Sequence, residues 1–190
     1  MFTLTANPLN RAFAVRPVCK ATDRPTVREL FRKEFYGSVA QNYPDEGLWE
    51  IYDNMEANDA DVFGAYLVSF RDRLLFLLEI HPSFQMDLPA SYLAREGSIG
   101  VYCFFASPDD PMNLPAFRTC ISSLFDDPGI HQILTAISPV SRQDPKLDLL
   151  TRTGFQRLPG SLERSLIYHC TMETFPLFGG NVEKRTSAAY

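Results

Sequence analysis

Basic residues are few in this sequence, and they are not clustered. Its 18 Lys and Arg are outnumbered by 23 Asp and Glu, which gives a formal net charge of −5. Proteins that bind nucleic acid collect Lys and Arg on one surface to neutralise phosphates, and this sequence contains no long run of either. We therefore expect no nucleic-acid partner.

Cysteines and metal-binding motifs are also scarce. The four cysteines, Cys19, Cys103, Cys120 and Cys170, are far apart and form no Cys-x-x-Cys pair. A protein metal site needs ligands at short, regular spacing, and no cluster of His, Asp and Glu has such spacing either. We predict no metal cofactor. Free buried thiols are typical of a reducing compartment, so we expect four unpaired, buried cysteines and a cytoplasmic location.

Long apolar runs are missing as well. None reaches the roughly 20 residues that span a bilayer, and the N-terminal segment lacks the basic region and apolar core of a signal peptide. The chain is nevertheless 45% hydrophobic and 13% aromatic, which favours a packed core over disorder. We predict one domain over residues 1–172, a polar tail over 173–190 and no membrane partner; a homodimer is left open.

The periodicity of the apolar residues predicts alternating strands and helices. In chain order, the predicted elements are a strand at 11–19, helices at 22–35 and 44–59, a hairpin of strands at 61–70 and 72–82, a short helix or turn at 88–97, a strand at 98–107, a helix at 111–125, a strand at 130–138, a helix that ends before Gly154, and strands at 155–159 and 164–171. This order indicates an α/β (α+β) fold, in which a central mixed sheet carries helices on both faces.

Two of the predicted strands should separate along their length. Pro108 ends the strand at 98–107, and a helix connects this strand to the one at 130–138. Ligands in such sheets bind where neighbouring strands diverge, beyond the carboxyl ends of the strands. We expect these two strands to splay and to leave a cleft between them.

Three polar residues carry side chains suited to acid–base chemistry, and we expect them to line one cavity within reach of a bridging water. Glu79 and His81 are two residues apart on one strand, so they share a face of the sheet, and Tyr102 lies on the next strand. A carboxylate beside an imidazole orients it as a base, and a phenol can donate to a developing charge. The alternative is an ordinary polar patch at a strand end, with Tyr102 in the core.

Four stretches, in their order and spacing, resemble the GNAT superfamily of acyl-CoA N-acyltransferases over Phe13–Thr171. They are LLEIHP, YLAREGSIGVY, LFDDPGIHQILT and RTGF. Within that superfamily they are most similar to the hydroxamate-forming acyltransferases of siderophore synthesis. The resemblance implies acetyl-CoA or another acyl-CoA as co-substrate and a small amine or hydroxylamine as acceptor. The catalytic His of that branch falls on Tyr102 in this sequence. If the chain is an enzyme of this kind, we expect from the side chains themselves that His81 is the general base, Glu79 its orienting partner and Tyr102 the acid.

The same resemblance assigns binding residues. It implies that the donor lies along the end of one strand and the start of the following helix, at Phe104, Phe105, Ala106, Ser107, Asn113, Leu114 and Ala116. Trp49 and Tyr52, on the second predicted helix, would form a wall of the acceptor cleft; the alternative is that they anchor the core.

The sequence departs from this family at the loop where a CoA diphosphate binds. The family uses a basic, Gly-rich turn whose N–H groups meet the diphosphate at the start of a helix. This chain has SPDDPMNLPAF, without Gly or a basic residue, and we expect Asp110 to cap the helix and Pro111 to be its first residue. The tyrosine that many members use as a general acid corresponds to Leu150 in this sequence. A catalytically inactive, GNAT-like ligand- or partner-binding protein is therefore the alternative hypothesis.

We predict weak binding of acetyl-CoA for this reason. Pro111 and Pro115 lack N–H groups, Asp110 would occupy others, and Asp109 adds a like charge. Each lost charge-assisted hydrogen bond costs about 1.5–3 kcal/mol, and the loss of two moves a micromolar site to roughly the millimolar range. Isothermal titration calorimetry with acetyl-CoA checks this, and a dissociation constant in the low micromolar range would contradict it.

Overall fold

The computed structural model describes residues 12–38, 64–81, 97–137, 145–159 and 166–176. These ranges contain seven strands and three helices. The helix predicted at 44–59, which carries Trp49 and Tyr52, lies outside them, as do most residues of the turn predicted at 88–97.

The seven strands form one sheet in the order β1-β2-β3-β4-β5-β7-β6. The strands are β1 (Phe13–Pro17), β2 (Gly64–Phe70), β3 (Arg73–His81), β4 (Ser98–Phe105), β5 (Gln132–Ile137), β6 (Gln156–Arg157) and β7 (Leu166–Thr171). Neighbouring strands are antiparallel except for β4 and β5, which are parallel. This mixed sheet confirms the fold class predicted from the sequence, and β4 is its central strand.

The hairpin of β2 and β3 turns through Arg71 and Asp72. Both residues have positive φ angles, 48° and 64°, which is the backbone of the two-residue turns that match the twist of the adjoining strands. The predicted hairpin is therefore confirmed. Its register places Glu79 of β3 opposite Ala65 of β2.

Helix α1 (Lys20–Ser38) covers one face of the sheet. Its buried residues Val27, Leu30 and Phe31 pack against strand residues that include Leu77 and Phe104. The rings of Phe31 and Phe104 are stacked, with centroids 4.3 Å apart. Burial of each such side chain stabilises the fold by about 1.5–3 kcal/mol, so this apolar stripe suffices to fix the helix on the sheet.

Helices α2 (Asn113–Phe125) and α3 (Pro145–Arg152) cover the opposite face. Because successive strand residues alternate between faces, Phe76 and Phe105 point away from α1. Both pack with Phe117 of α2 and Leu150 of α3 in the larger hydrophobic cluster. The expected placement of helices on both faces is confirmed.

Helix α1 begins earlier than the sequence predicted. The predicted start at residue 22 is wrong, because the helix starts at Lys20. Asp23 instead reaches back out of the helix: one carboxylate oxygen accepts the N–H of Cys19 at 2.8 Å. Both oxygens accept hydrogen bonds from Arg16, at 2.6 and 2.8 Å. Asp23 therefore joins β1 to α1.

Helix α2 begins later than predicted. Asp110 is not its N-cap and Pro111 is not its first residue, because the helix starts at Asn113 and Met112 is the N-cap, without a side-chain capping bond. The physical reason is local: Oδ1 of Asp110 accepts the N–H of Met112 at 2.9 Å. This bond closes a turn ahead of the helix instead of its first turn.

The end of α3 agrees with the sequence. Gly154 follows the helix with φ at 95°, a left-handed conformation that glycine adopts without strain. A Cβ at this position would collide with the carbonyl oxygen of Thr174. Phe175, which the sequence placed in the polar tail, is buried, and its ring centroid lies 5.8 Å from that of Phe125.

All four cysteines are free, as predicted, but they are not all buried. Cys120 and Cys170 are buried, Cys103 is half-buried and Cys19 is exposed. The prediction was wrong for Cys19 because it lies just ahead of α1. There, hydrogen bonds from the Thr22 hydroxyl and from the first N–H groups of the helix lower the pKa of its thiol.

We predict that Asp23→Asn destabilises the protein by about 1–3 kcal/mol at neutral pH, because it weakens charge-assisted hydrogen bonds. The hydrogen bonds from Arg16 and Cys19 lower the pKa of Asp23 from 3.8 to about 2. Since the pKa is lower in the folded state, this stabilisation is complete above the unfolded-state pKa of 3.8 and is lost as the pH falls towards 2.

Urea denaturation at a series of pH values measures this effect. The stabilities of the two proteins should differ at pH ~7 and converge in acid. Equal free energies of unfolding at neutral pH would show that the ion pair with Arg16 does not stabilise the fold.

Candidate active site

The parallel ladder between β4 and β5 is short. It pairs three residues of each strand, and its last pair is Gly100 and Leu134. Strand β4 continues to Phe105 and stays paired with β3 over that length. The side of β4 that faces β5 is therefore left open beyond Gly100, and the predicted splay of these two strands is confirmed.

A cleft with a cavity volume of about 50 Å³, partly open to solvent, occupies the space between the splayed strands. We call it the β4–β5 cleft. Its walls come from both strands and from helices α2 and α3. The lining residues are Tyr102, Cys103, Phe104, Phe105, Phe117, Thr135, Ala136, Ile137, Lys146, Leu149 and Leu150. A mostly apolar wall with a few polar groups is the usual composition of a small-molecule site.

The structure brings Glu79, His81 and Tyr102 together. Glu79 lies directly opposite Tyr102 across the β3–β4 ladder. His81 Nε2 is 3.5 Å from Glu79 Oε2, and these side chains are only 14% and 12% exposed. The rings of His81 and Tyr102 are perpendicular, with centroids 5.0 Å apart. The residue opposite His81 is Gly100, which has no side chain to separate these two rings.

His81 and Glu79 lie within ion-pair distance of each other, but their atoms do not have the geometry of a hydrogen bond. Nε2 of His81 is buried, and within the described ranges it has no hydrogen-bond partner. A buried polar atom without a partner costs free energy that a ligand can recover. Of the three residues, only Tyr102 lines the β4–β5 cleft; Glu79 and His81 lie beside it on the α1 face of the sheet.

The surroundings of Tyr102 shift the pKa of its phenol. Burial raises the pKa of its phenol to about 12, and the negative charge of Glu79 adds to this effect. Both causes disfavour the phenolate. The phenol therefore keeps its proton throughout the physiological range and can act as a hydrogen-bond donor.

Among the residues predicted to bind the donor, Phe104 and Phe105 line the cleft. Ala106 follows them and stays paired with β3, because its N–H donates to the carbonyl of Leu75 at 2.9 Å. The end of β4 thus supplies two aromatic walls to the cleft while its other edge remains bonded to β3.

The other predicted donor residues lie beyond the cleft wall. The side chain of Asn113 donates to the carbonyls of Ser107 and Pro108, at 2.7 and 3.2 Å, and so ties the loop to α2. Leu114 packs against the core and Ala116 is fully buried within it. These residues shape the loop at the start of α2 but do not line the β4–β5 cleft.

Several lining residues were not singled out from the sequence. Thr135 is buried on β5, and Lys146 lies at the start of α3 with its ammonium 5.9 Å from the centre of the Phe105 ring. Cys103 is half-buried on β4. The predicted splay indicates that β5 contributes a wall, but strand alternation does not tell which of its residues face the gap.

Two other kinds of site are absent from the described ranges. They hold no group of three or more His, Cys, Asp or Glu residues that could bind a metal ion. No helix within the same ranges is long and apolar enough to cross a membrane.

We predict that Glu79→Gln lowers the pKa of Tyr102 but leaves it above the ordinary value of 10. The carboxylate is the smaller of the two causes of the shift, and burial, the larger cause, is retained. NMR titration of ring-labelled tyrosine, assigned with Tyr102→Phe, measures the change while circular dichroism monitors folding. An unshifted Tyr102 in the wild-type protein would contradict the buried placement of its phenol.

Comparisons with known proteins define the fold further. No protein-family model matches the sequence, and no curated protein matches it. Solved structures do match. One is an uncharacterised protein from Bacillus halodurans, with a TM-score of 0.65, 15% identity and coverage of 86% of each chain.

Two further matches are acetyltransferases. Aminoglycoside acetyltransferase AAC(6')-Ib, in complex with coenzyme A and kanamycin, has a TM-score of 0.60 and 15% identity over 85% of this chain and 96% of that one. Spermidine N-acetyltransferase from Vibrio cholerae, in complex with CoA and spermine, has a TM-score of 0.59 and 13% identity over 87% of this chain and 98% of that one. The chain therefore has the fold of the GNAT acetyltransferases, while its likeness to the siderophore branch stays a prediction.

Proposed function

We propose that this protein is an N-acyltransferase that moves an acyl group from a pantetheine thioester, such as acetyl-CoA, to a small amine or hydroxylamine. The observation that carries the proposal is the contact of Glu79, His81 and Tyr102 beside the open edge of β4. The shared fold with acetyltransferases crystallised with coenzyme A supports the same class of donor.

The reaction needs a neutral nitrogen and a place for the protons. His81 takes one proton from the acceptor ammonium, and the freed lone pair attacks the thioester carbonyl. The C–N bond forms, the C–S bond breaks, and a second proton from the nitrogen neutralises the departing thiolate. His81 then releases the first proton to solvent. Glu79, 3.5 Å from Nε2, stabilises the imidazolium while it exists.

The electrostatics refine the role of Tyr102. Its pKa of about 12 keeps the phenol protonated. Complete transfer of that proton to the thiolate is uphill, because a thiol, with a pKa of roughly 8.5, is the stronger acid. We therefore assign Tyr102 a hydrogen bond to the oxyanion of the tetrahedral intermediate, where a donor that does not lose its proton is sufficient.

The charge around His81 favours a cationic acceptor. The Glu79 carboxylate is largely buried next to it, and the chain carries a net charge of −5. Such a field attracts ammonium groups. A hydroxylamine is largely neutral at physiological pH and attacks without prior deprotonation, so its acylation would depend less on His81. This difference distinguishes the two acceptor classes.

A GNAT-like ligand-binding protein without turnover is the second candidate. The observation in its favour is the loop between β4 and α2, whose Asp110 is paired with Arg73 at 2.8 Å in place of an open, basic turn. This candidate predicts ligand binding in the β4–β5 cleft without release of a thiol product.

We predict that His81→Ala lowers kcat with an ammonium acceptor by roughly 10²–10⁴-fold, because a general base is lost. Tyr102→Phe should lower kcat by about 10²-fold through loss of an oxyanion donor. The assay is thiol release from acetyl-CoA with spermidine, kanamycin or hydroxylamine as acceptor.

His131→Ala is the matched control, since His131 is an exposed histidine outside the site. Full activity of His81→Ala with every acceptor would refute the assignment of the base. Absence of thiol release by the wild-type protein with all three acceptors would contradict the enzyme and favour the binding protein.

A further inference from the structure

The β4–β5 cleft opens at the carboxyl end of β4, close to where α2 begins. The lining residues of β4 are Tyr102 to Phe105, and α2 starts at Asn113 after a short loop. A helix N-terminus offers N–H groups and a partial positive charge to anions. An anion carried on a ligand that lies along β4 would therefore arrive at this end of α2.

The carboxylate of Asp110 already occupies that position. Its side chain is only 6% exposed. One oxygen accepts the N–H of Met112 at 2.9 Å. The guanidinium of Arg73 binds both oxygens, at 2.8 and 3.2 Å. An N–H group ahead of a helix and a two-pronged arginine are the partners that a phosphate group would use. The carboxylate of Asp110 therefore takes the place that a bound anion would have.

Two more N–H groups of the same loop are also satisfied internally. The N–H of Asp110 donates to the carbonyl of Ser107 at 3.2 Å, and the N–H of Asn113 donates to the carbonyl of Asp110 at 3.0 Å. Pro111, between them, has no N–H. The side-chain oxygen of Asn113 is buried without a hydrogen-bond partner in the described ranges. Because that oxygen is an acceptor, it repels a phosphate instead of binding it.

A diphosphate could enter only by displacing Asp110. That step would break the pairing with Arg73 and Met112 and leave the carboxylate beside a ligand of the same charge. The lost charge-assisted hydrogen bonds and the repulsion both oppose binding. The gain from binding the diphosphate would be offset by this loss, so the loop gives a nucleotide-bearing donor no advantage.

We infer that the protein recognises its acyl donor through the pantetheine thioester and does not select for the nucleotide diphosphate of CoA. This inference rests on the proposed function and narrows its substrate class to S-acyl pantetheine thioesters, with or without the nucleotide. The determinant is the Asp110–Arg73 ion pair, which occupies the anion position at the start of α2.

Calorimetry on the wild-type protein tests the inference without requiring turnover. CoA, 4′-phosphopantetheine and pantetheine should bind with dissociation constants within about threefold of one another. Binding of CoA at least about thirtyfold tighter than pantetheine would overturn the inference and leave the proposed function standing. If none of the three binds, the proposed function itself fails, so the two failures are distinguishable.

A variant tests the determinant directly. Asp110→Ala frees the N–H of Met112 and the guanidinium of Arg73, and it should tighten CoA binding relative to pantetheine by about tenfold or more. Asp109→Ala is the matched control, because it removes the neighbouring carboxylate, which is exposed and screened by solvent, and it should change the ratio much less. The double variant Asp110→Ala with Arg73→Ala should lose most of the gain.

Asp110→Asn is a second, more conservative variant that keeps the inference testable if the alanine variant misfolds. Its amide oxygen can still accept the N–H of Met112, while the lost charge releases Arg73. It should therefore show a smaller shift in the same direction. An unchanged ratio of CoA to pantetheine affinity in both folded variants, or an equal change in Asp109→Ala, would overturn the role of Asp110.

Discussion

The short parallel ladder between β4 and β5 is the constraint on which the site depends. Three residue pairs, ending at Gly100 and Leu134, join an antiparallel sheet of four strands to one of three. Phe117 of α2 and Leu150 of α3 line the gap from one face of the sheet. A longer ladder would close that gap, whereas none would separate the two parts of the sheet. The cleft exists because β4 and β5 pair over three residues and then separate.

The open edge of β4 also couples ligand binding to the stability of the sheet. Backbone groups of a buried strand need hydrogen-bond partners, and beyond Gly100 the described part of β5 no longer supplies them. An extended ligand with amide groups can act as the missing strand. Any ligand that binds the folded state alone stabilises it in proportion to its concentration and affinity. The two parts of the sheet are then held together by the ligand as well as by three residue pairs.

Local patterns in the sequence were sufficient for the strands, the hairpin and the end of α3, because apolar periodicity and Gly154 act over short distances. The starts of α1 and α2 were wrong for a common reason. Asp23 and Asp110 are ordinary capping residues, yet each is bound by an arginine, Arg16 or Arg73, that capping rules do not consider. Strand alternation likewise put Glu79 and His81 on one face, but it could not supply the register that sets Tyr102 opposite Glu79.

The ion pair of Arg73 and Asp110 joins segments that are 37 residues apart. Arg73 is the first residue of β3 and directly follows the turn at Arg71 and Asp72. Strand side chains alternate between faces, so a slip of one residue in this hairpin would carry Arg73 to the other side of the sheet. Exposed turns are where insertions and deletions are most easily tolerated. If this ion pair sets the donor preference, as we infer, a change of length in the turn would alter that preference without any substitution in the cleft.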